Sequence, residues 1–133
     1  MSTPTTNGRA AIRWSLLALL GILCAAPADL HGQSSARTQT GIATYYSDYF
    51  QDRPTASGEI FDQHALTAAH NGHAFGTRLR VTNLASGKSV IVKVNDRMRS
   101  NSKVLIDLSR QAAEELDFVR EGILSVEATV VED

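Results

Sequence analysis

The candidate reactive group of this chain stands directly after an apolar run. Residues 90–94 contain three Val and one Ile around the single polar Lys93, and β-branched residues favour an extended backbone that packs on a pleated surface. The run therefore predicts a buried strand. A core has no use for the three polar residues that follow it, Asn95, Asp96 and Arg97. They form either a turn or the place where a carboxylate is presented, and Asp96 is the leading candidate for the reactive group.

A single carboxylic acid in this position could perform acid–base chemistry. If its pKa is raised, it can give a proton to a leaving group and then accept one back. If the strand continues through Asp96, Arg97 points to the opposite face, so that its cation does not hold the acid in the ionised form. The alternative is a structural Asp96 that ties a turn through hydrogen bonds to nearby amides.

Two further residues are candidates for the same site. His70 follows the small-residue run 65–69 and precedes Asn71 and Gly72, so it is expected at a strand end, where it could orient a carboxyl group. An isolated histidine is also consistent with a hydrogen-bonded structural role. Glu59 closes a turn, a setting typical of an exposed loop acid, so its functional and structural interpretations both stay open.

For the other titratable residues, the sequence pattern favours structural roles. Asp107 precedes an amphipathic stretch and is interpreted as a helix cap rather than as a catalyst. His64, His70 and His73 show no pair at the helical spacing of four residues, and no cysteine lies among them. The pattern therefore does not predict a metal site.

The candidate residues are expected to be positioned by a mainly β domain of six strands with one short inserted helix. Turn residues separate the short β-branched runs, and Ala112, Ala113 and Leu116 recur at helical spacing after a cap at Asp107 or Ser109. Strands and helices do not alternate along the chain, so the pattern does not predict a parallel sheet. A small closed barrel fits this pattern, because closure removes exposed edges. The predicted strands are 41–46, 65–69, 78–83, 90–94, 104–106 and 124–130, and the predicted helix is 109–117. The tight connection at residues 85–87 predicts that residues 78–94 form a hairpin.

The N-terminal part has the features of an export signal. Two arginines precede an apolar run that ends in small residues, so residues 1–28 are predicted to be a signal peptide, residues 29–40 a disordered leader and residues 41–131 the domain. An uncleaved anchor or a lipidated Cys24 are the alternatives. Removing two Arg from 13 basic residues leaves 11 against 14 acidic ones, which does not suit a nucleic-acid partner. The only cysteine lies in the signal, so a packed core must supply the stability.

Several motifs in order resemble the RlpA-like (rare lipoprotein A) domain, the double-psi β-barrel of the septal ring lytic transglycosylase family. The resemblance covers about residues 41–131 and is carried by six stretches: 41–46 (GIATYY), 55–59 (TASGE), 66–70 (LTAAH), 75–83 (FGTRLRVTN), 92–97 (VKVNDR) and 106–109 (IDLS). It departs from the family pattern at Met98-Arg99, where the family usually has Gly-Pro. That departure leaves the course of the loop after Asp96 open.

The resemblance implies an exported periplasmic or cell-envelope enzyme that cuts peptidoglycan glycan strands between N-acetylmuramic acid and N-acetylglucosamine without water. It places the family's catalytic positions on Asp96, His70 and Glu59, with Asp96 as the acid. One carboxyl group suffices if the sugar's own 6-hydroxyl attacks and leaves a 1,6-anhydro end. The implied protein is a monomer that uses no metal or organic cofactor, binds no nucleic acid and has no membrane span after signal cleavage. The alternatives are a non-catalytic glycan-binding barrel and a hydrolase of the same bond.

Overall fold

The computed structural model describes residues 37–132. They form a closed barrel of six strands in the order β1-β5-β2-β4-β3-β6, which confirms the predicted mainly β architecture. The predicted signal peptide and residues 29–36 of the predicted leader lie outside the described residues. The strands are β1 Thr38–Tyr45, β2 Thr67–Ala69, β3 Arg78–Asn83, β4 Ser89–Asp96, β5 Ile106–Leu108 and β6 Leu124–Val130; a 3₁₀ turn spans Asp48–Phe50, and helix α1 spans Arg110–Glu115.

The barrel combines antiparallel neighbours with two parallel pairs. The predicted hairpin is confirmed, because β3 and β4 pair antiparallel. In contrast, β1 runs parallel to β5 and β2 runs parallel to β4, a feature that the sequence pattern did not indicate. The first strand begins at Thr38, three residues before the predicted start, because Thr38, Gln39 and Thr40 pair with β6. Assigning those three residues to a disordered leader was therefore wrong.

A single apolar cluster fills the barrel and supplies its stability. Val90, Val92 and Val94 alternate along β4 and are at most 6% exposed, as expected for the inward face of a half-buried strand. Their packing partners come from every strand and from α1. The remaining core side chains include Ala43, Ala68, Leu79, Val81, Ile106, Leu108, Ala112, Ala113, Leu116, Phe118, Val126 and Ala128.

A β-bulge at the end of β4 reverses the face that its residues present. Ala68 pairs with Val94, but the next residue of β2, Ala69, pairs with Asp96, so Asn95 is the extra residue of a bulge. Without the bulge, Asp96 would point inward like Val94, two positions earlier. With it, Asp96 is turned toward the outside of the barrel. The strand thus continues through Asp96, beyond the predicted end at Val94.

Helix α1 follows β5 directly and is capped by Ser109. The Ser109 hydroxyl accepts a hydrogen bond from the Ala112 amide, which confirms one of the two predicted caps. Asp107 was the other, and that interpretation is wrong, because Asp107 lies inside strand β5 between the buried Ile106 and Leu108. The helices among residues 37–132 are too short and too polar to span a bilayer.

Candidate active site

Four residues on four neighbouring strands form a row across the outside of the barrel. Thr44 of β1 pairs with Asp107 of β5, Asp107 pairs with Ala69 of β2, and Ala69 pairs with Asp96 of β4. Paired residues on adjacent strands direct their side chains to the same face of a sheet. The row therefore brings two carboxyl groups to one surface, separated by the methyl group of Ala69.

This row is the floor of an open cleft of about 500 Å³. Its sides include Met98 and Arg99 of the loop after β4, and Tyr46 and Phe50 of the segment after β1. Met98 packs against Tyr46, Phe61 and Ala69 in a small second cluster. The residues that line the cleft are Thr44, Tyr46, Phe50, Ala69, Asp96, Arg97, Met98, Arg99, Asn101, Ser102, Val104 and Asp107.

Three donors hold the carboxylate of Asp96. The Tyr46 hydroxyl donates to Oδ2 at 2.6 Å, and the amides of Ala56 and Arg97 donate to Oδ1 at 2.8 and 2.9 Å. Asp96 therefore does bond nearby amides, as the structural interpretation expected, yet it also lines an open cleft. The bonds fix the orientation of the carboxylate and leave it accessible.

Tyr46 is a rigid donor to Asp96. Its ring stacks on that of Phe61, with centroids 4.2 Å apart and an angle of 17° between the planes. Burial, followed by the hydrogen bond to Asp96, raises the pKa of Tyr46 far above its usual value. The phenol therefore stays protonated at any physiological pH and donates a hydrogen bond to the carboxylate.

Asp107 is the residue whose chemistry the sequence interpretation missed. The Thr44 hydroxyl donates to its Oδ1 at 3.0 Å. Burial raises the pKa of Asp107 to about 6, and the negative charge of Asp96 contributes in the same direction. One signal in the sequence could have found it: a polar residue between Ile106 and Leu108 in a short strand must face away from the core.

His70 lies beside the Asp96 main chain but directs its ring elsewhere. Its amide donates to the Asp96 carbonyl, whereas its Nδ1 accepts from the Gly72 amide at 2.8 Å and its Nε2 is 3.0 Å from Oε1 of Gln39. Because Nδ1 accepts, Nε2 carries the proton and donates to Gln39. The side chain is only 3% exposed. Burial lowers the pKa of His70 to about 4, with His73 and Arg97 contributing, so the ring is neutral at pH 7.

Glu59 is exposed and faces β4 rather than the cleft floor. Its carboxylate accepts from Lys93 Nζ at 2.9 Å and from Asn95 Nδ2 at 3.1 Å. The hydrogen bond from Lys93, followed by that from Asn95, lowers the pKa of Glu59. Glu59 therefore anchors the turn from which the Ala56 amide reaches Asp96. The His70 main chain and the turn that contains Glu59 both contact Asp96. The His70 imidazole and the Glu59 carboxylate bond to other residues instead.

The Arg97 guanidinium is engaged away from the Asp96 carboxylate. Its Nη1 donates to the His70 carbonyl at 2.8 Å, and its Cζ lies 4.0 Å from the centroid of the Phe75 ring. Arg97 nevertheless lines the same cleft as Asp96, and its Nη1 also donates to the Asp96 carbonyl at 3.4 Å, so the predicted placement of Arg97 on the opposite face is not confirmed. Among residues 37–132, no three His, Cys, Asp or Glu side chains are grouped as the ligands of a metal ion would be.

The closed barrel and its outward row define the class of double-psi β-barrel proteins, and solved structures confirm the predicted fold. The Streptomyces papain inhibitor matches with a TM-score of 0.59 at 23% identity, over 71% of this chain and 94% of that one. An expansin of Clavibacter michiganensis matches with a TM-score of 0.56 at 26% identity, over 72% of this chain and 51% of that one.

Within this class, the chain belongs to the family described as "Lytic transglycolase", whose model matches residues 38–128. A probable endolytic peptidoglycan transglycosylase RlpA of Treponema pallidum is 50% identical over 86 residues, which are 65% of this chain and 27% of that protein. The endolytic peptidoglycan transglycosylase RlpA of Neisseria meningitidis is 46% identical over 89 residues, 67% of this chain and 37% of that protein. The chain therefore spans less than two fifths of the length of either relative.

Proposed function

We propose that this domain is an endolytic lytic transglycosylase that cuts peptidoglycan glycan strands between N-acetylmuramic acid and N-acetylglucosamine. The observation that carries the proposal is the Asp96 carboxylate, held by three donors on the floor of an open cleft. The names of the relatives support the substrate and the reaction. They also favour the cell envelope as the place of action. Residues 1–28, as an export signal, would direct the protein there.

Asp96 is the proposed catalytic residue. With a single carboxyl group, Asp96 gives its proton to the leaving O4 as the bond from O4 to the anomeric carbon breaks. Its carboxylate then takes the proton of the muramic acid 6-hydroxyl as O6 bonds to that carbon, and no water takes part. Because the nucleophile belongs to the substrate itself, its effective concentration reaches on the order of 10⁵ M or more. The products are a strand with a 1,6-anhydro end and a strand with a free 4-hydroxyl.

His70 and Glu59 are proposed to act as positioning residues. His70 donates its amide to the Asp96 carbonyl and bonds Gln39 with its ring, which supports a role in fixing the end of β2 beside β4. Glu59 bonds Lys93 and Asn95, which supports a role in holding the turn that supplies the Ala56 amide. Substituting either residue is expected to lower the turnover number, because Asp96 would be less well ordered.

Digestion of purified glycan strands tests the function. Strands with and without stem peptides are incubated with the protein, and the products are weighed. Anhydro ends, lighter by one water than reducing ends, are expected. Asp96→Asn should abolish them. Asp117→Asn is the matched control, because Asp117 is exposed outside the cleft and has a φ of 60°, an angle that Asn adopts readily.

Two other outcomes correspond to different functions. Reducing ends would identify a hydrolase, and the two carboxyl groups in one cleft make this the specific alternative. Retained binding of strands without any cleavage would identify a glycan-binding barrel. Either outcome contradicts lytic transglycosylation.

A further inference from the structure

Breaking a glycosidic bond requires both a proton acceptor and a proton donor. In the proposed reaction, the attacking hydroxyl loses a proton while the leaving oxygen gains one. Asp96 suits the first task better than the second, because Tyr46 and two amides direct their hydrogens at its oxygens. Those three donors are all satisfied by a carboxylate, whereas a protonated acid would lose acceptor capacity.

A second carboxyl group of different character lies in the same cleft. Asp107 accepts one side-chain bond, from Thr44, and is partly buried on the cleft floor. Burial raises its pKa to about 6, so a large fraction of Asp107 is protonated at the mildly acidic side of neutrality. Two carboxyl groups in different hydrogen-bonding environments can divide the tasks of acid and base between them.

The spacing of the two groups suits a sugar lying between them. Asp96 and Asp107 are both paired with Ala69, so their backbones are two strand spacings apart, about 9.6 Å. The Ala69 methyl group between them is 1% exposed and packs in a cluster with Tyr46 and Phe61, so a sugar would lie above these side chains. Inverting glycosidases hold their two carboxyl groups about 6.5–9.5 Å apart, which leaves room for a water nucleophile, and the strand spacing puts the backbones of Asp96 and Asp107 on the same scale.

We propose that Asp107 is the proton donor of the reaction; this rests on the proposed function and adds to it a second catalytic residue. The bond between the anomeric carbon and the leaving O4 breaks, and O4 takes the proton of Asp107. A bond forms between the anomeric carbon and O6, and Asp96 takes the proton of the 6-hydroxyl. Asp107 ends as a carboxylate and Asp96 as an acid, and one proton passed from Asp96 to Asp107 through solvent restores both.

A substrate that needs no acid separates the two roles. Cleavage of natural strands is compared with cleavage of a 2,4-dinitrophenyl glycoside of N-acetylglucosaminyl-N-acetylmuramic acid, whose leaving group departs without a proton. Asp107→Asn should lower kcat/KM on natural strands by about 10²–10⁴-fold and leave the activated substrate within a few-fold of wild type. Asp96→Asn should lose both activities, and Asp117→Asn should lose neither.

The pH profile gives an independent readout. The charged or titratable groups that act on Asp107 or line the same cleft are Tyr46, directly after β1, Asp96 of β4, and Arg97 and Arg99 of the loop after β4; Ala69 of β2 carries no charge. On natural strands, wild-type kcat should fall as the pH rises through about 6, and the activated substrate should show no such decline.

The outcomes distinguish the inference from the function on which it rests. If wild-type protein produces no anhydro ends, the proposed function fails. If it produces them and Asp107→Asn retains wild-type activity on natural strands, the function stands and the proton donor is not Asp107. Equal losses on both substrates, with no fall in melting temperature, would also overturn the assignment.

Discussion

Asp96 and Asp107 reach the same cleft by different local devices. Asp107 faces outward through ordinary alternation, between the buried Ile106 and Leu108. Asp96 has the parity of the inward-facing Val94 and faces outward only because Asn95 is the extra residue of a bulge. A single inserted residue therefore decides whether this carboxylate enters the core or meets a substrate.

Tyr46→Phe is expected to reduce catalysis with little change in fold. The substitution removes the 2.6 Å donor to Asp96 and keeps the ring that stacks on Phe61. A hydrogen bond to a charged group contributes about 1.5–3 kcal/mol, so kcat on glycan strands should fall about 10–100-fold. Digestion kinetics check the loss, and Tyr49→Phe, at an exposed ring, is the control. Unchanged kinetics in Tyr46→Phe would show that this donor has no part in the reaction.

At the scale of elements, hydrophobic alternation predicted the hairpin of β3 and β4 and the last strand, β6, because each carries its own local pattern. Short strands were harder to place: the fifth strand was expected at 104–106 and lies at Ile106–Leu108. The parallel pairs had no local signal, since partners such as Ala43 and Ile106 are distant in sequence. The bulge could not be predicted from the sequence either, because it is defined only by the register of β4 against β2.

The candidate site shows the same division between local and distant information. Asp96 was identified because a polar triplet after a buried run is a local anomaly. The orientation of the His70 ring depends on Gln39, which belongs to a stretch expected to be disordered, so it could not be deduced. Asp107 was taken for a cap because its strand was placed too early, and the row with Ala69 appears only once the barrel closes.

The contact between β1 and the segment before β5 depends on a glycine. A Cβ on Gly41 would lie 2.8 Å from the Cβ of Leu105, so the two backbones approach too closely for any side chain. Gly41→Ala is therefore expected to lower the free energy of unfolding by about 1–3 kcal/mol. Urea denaturation measures the loss, and Thr40→Ala, at an exposed neighbour in the same strand, should change stability much less. A stable Gly41→Ala protein would mean that β1 can shift away from β5.

At the scale of the whole molecule, residues 37–132 contain no cysteine, so no disulfide among them stabilises the barrel. Partly buried titratable groups then make stability depend on pH, and the sign differs between them. Asp107 binds its proton more tightly in the folded state, whereas His70 binds its proton less tightly. Their contributions oppose each other between about pH 4 and 6.

Asp107→Asn is expected to stabilise the protein at neutral pH while it removes the proposed proton donor. Because folding raises the pKa of Asp107 to about 6, the wild type loses stability as the pH rises from about 4 through 6. The neutral amide avoids that loss and can still accept from Thr44. The variant should exceed wild type by about 2 kcal/mol at pH 7 and match it near pH 4. Urea denaturation at both pH values measures this, and equal stability at pH 7 would contradict it.

His70→Gln is expected to show the opposite dependence. The pKa of His70 is lowered from 6.5 to about 4 in the folded state, so the unfolded chain binds more protons in that interval and wild-type stability falls as the pH drops. The contribution amounts to about 2–3 kcal/mol between pH 6.5 and 4.

Gln cannot titrate there, and the charged groups that face the ring, His73 and Arg97, remain in place. The variant should therefore be less stable than wild type at pH 7, where the bonds to Gln39 and Gly72 are perturbed, and should lose less on acidification. Urea midpoints at half-unit pH steps measure the slope, with His64→Gln as the exposed control. A slope as steep as that of wild type would mean that folding does not lower the pKa of His70.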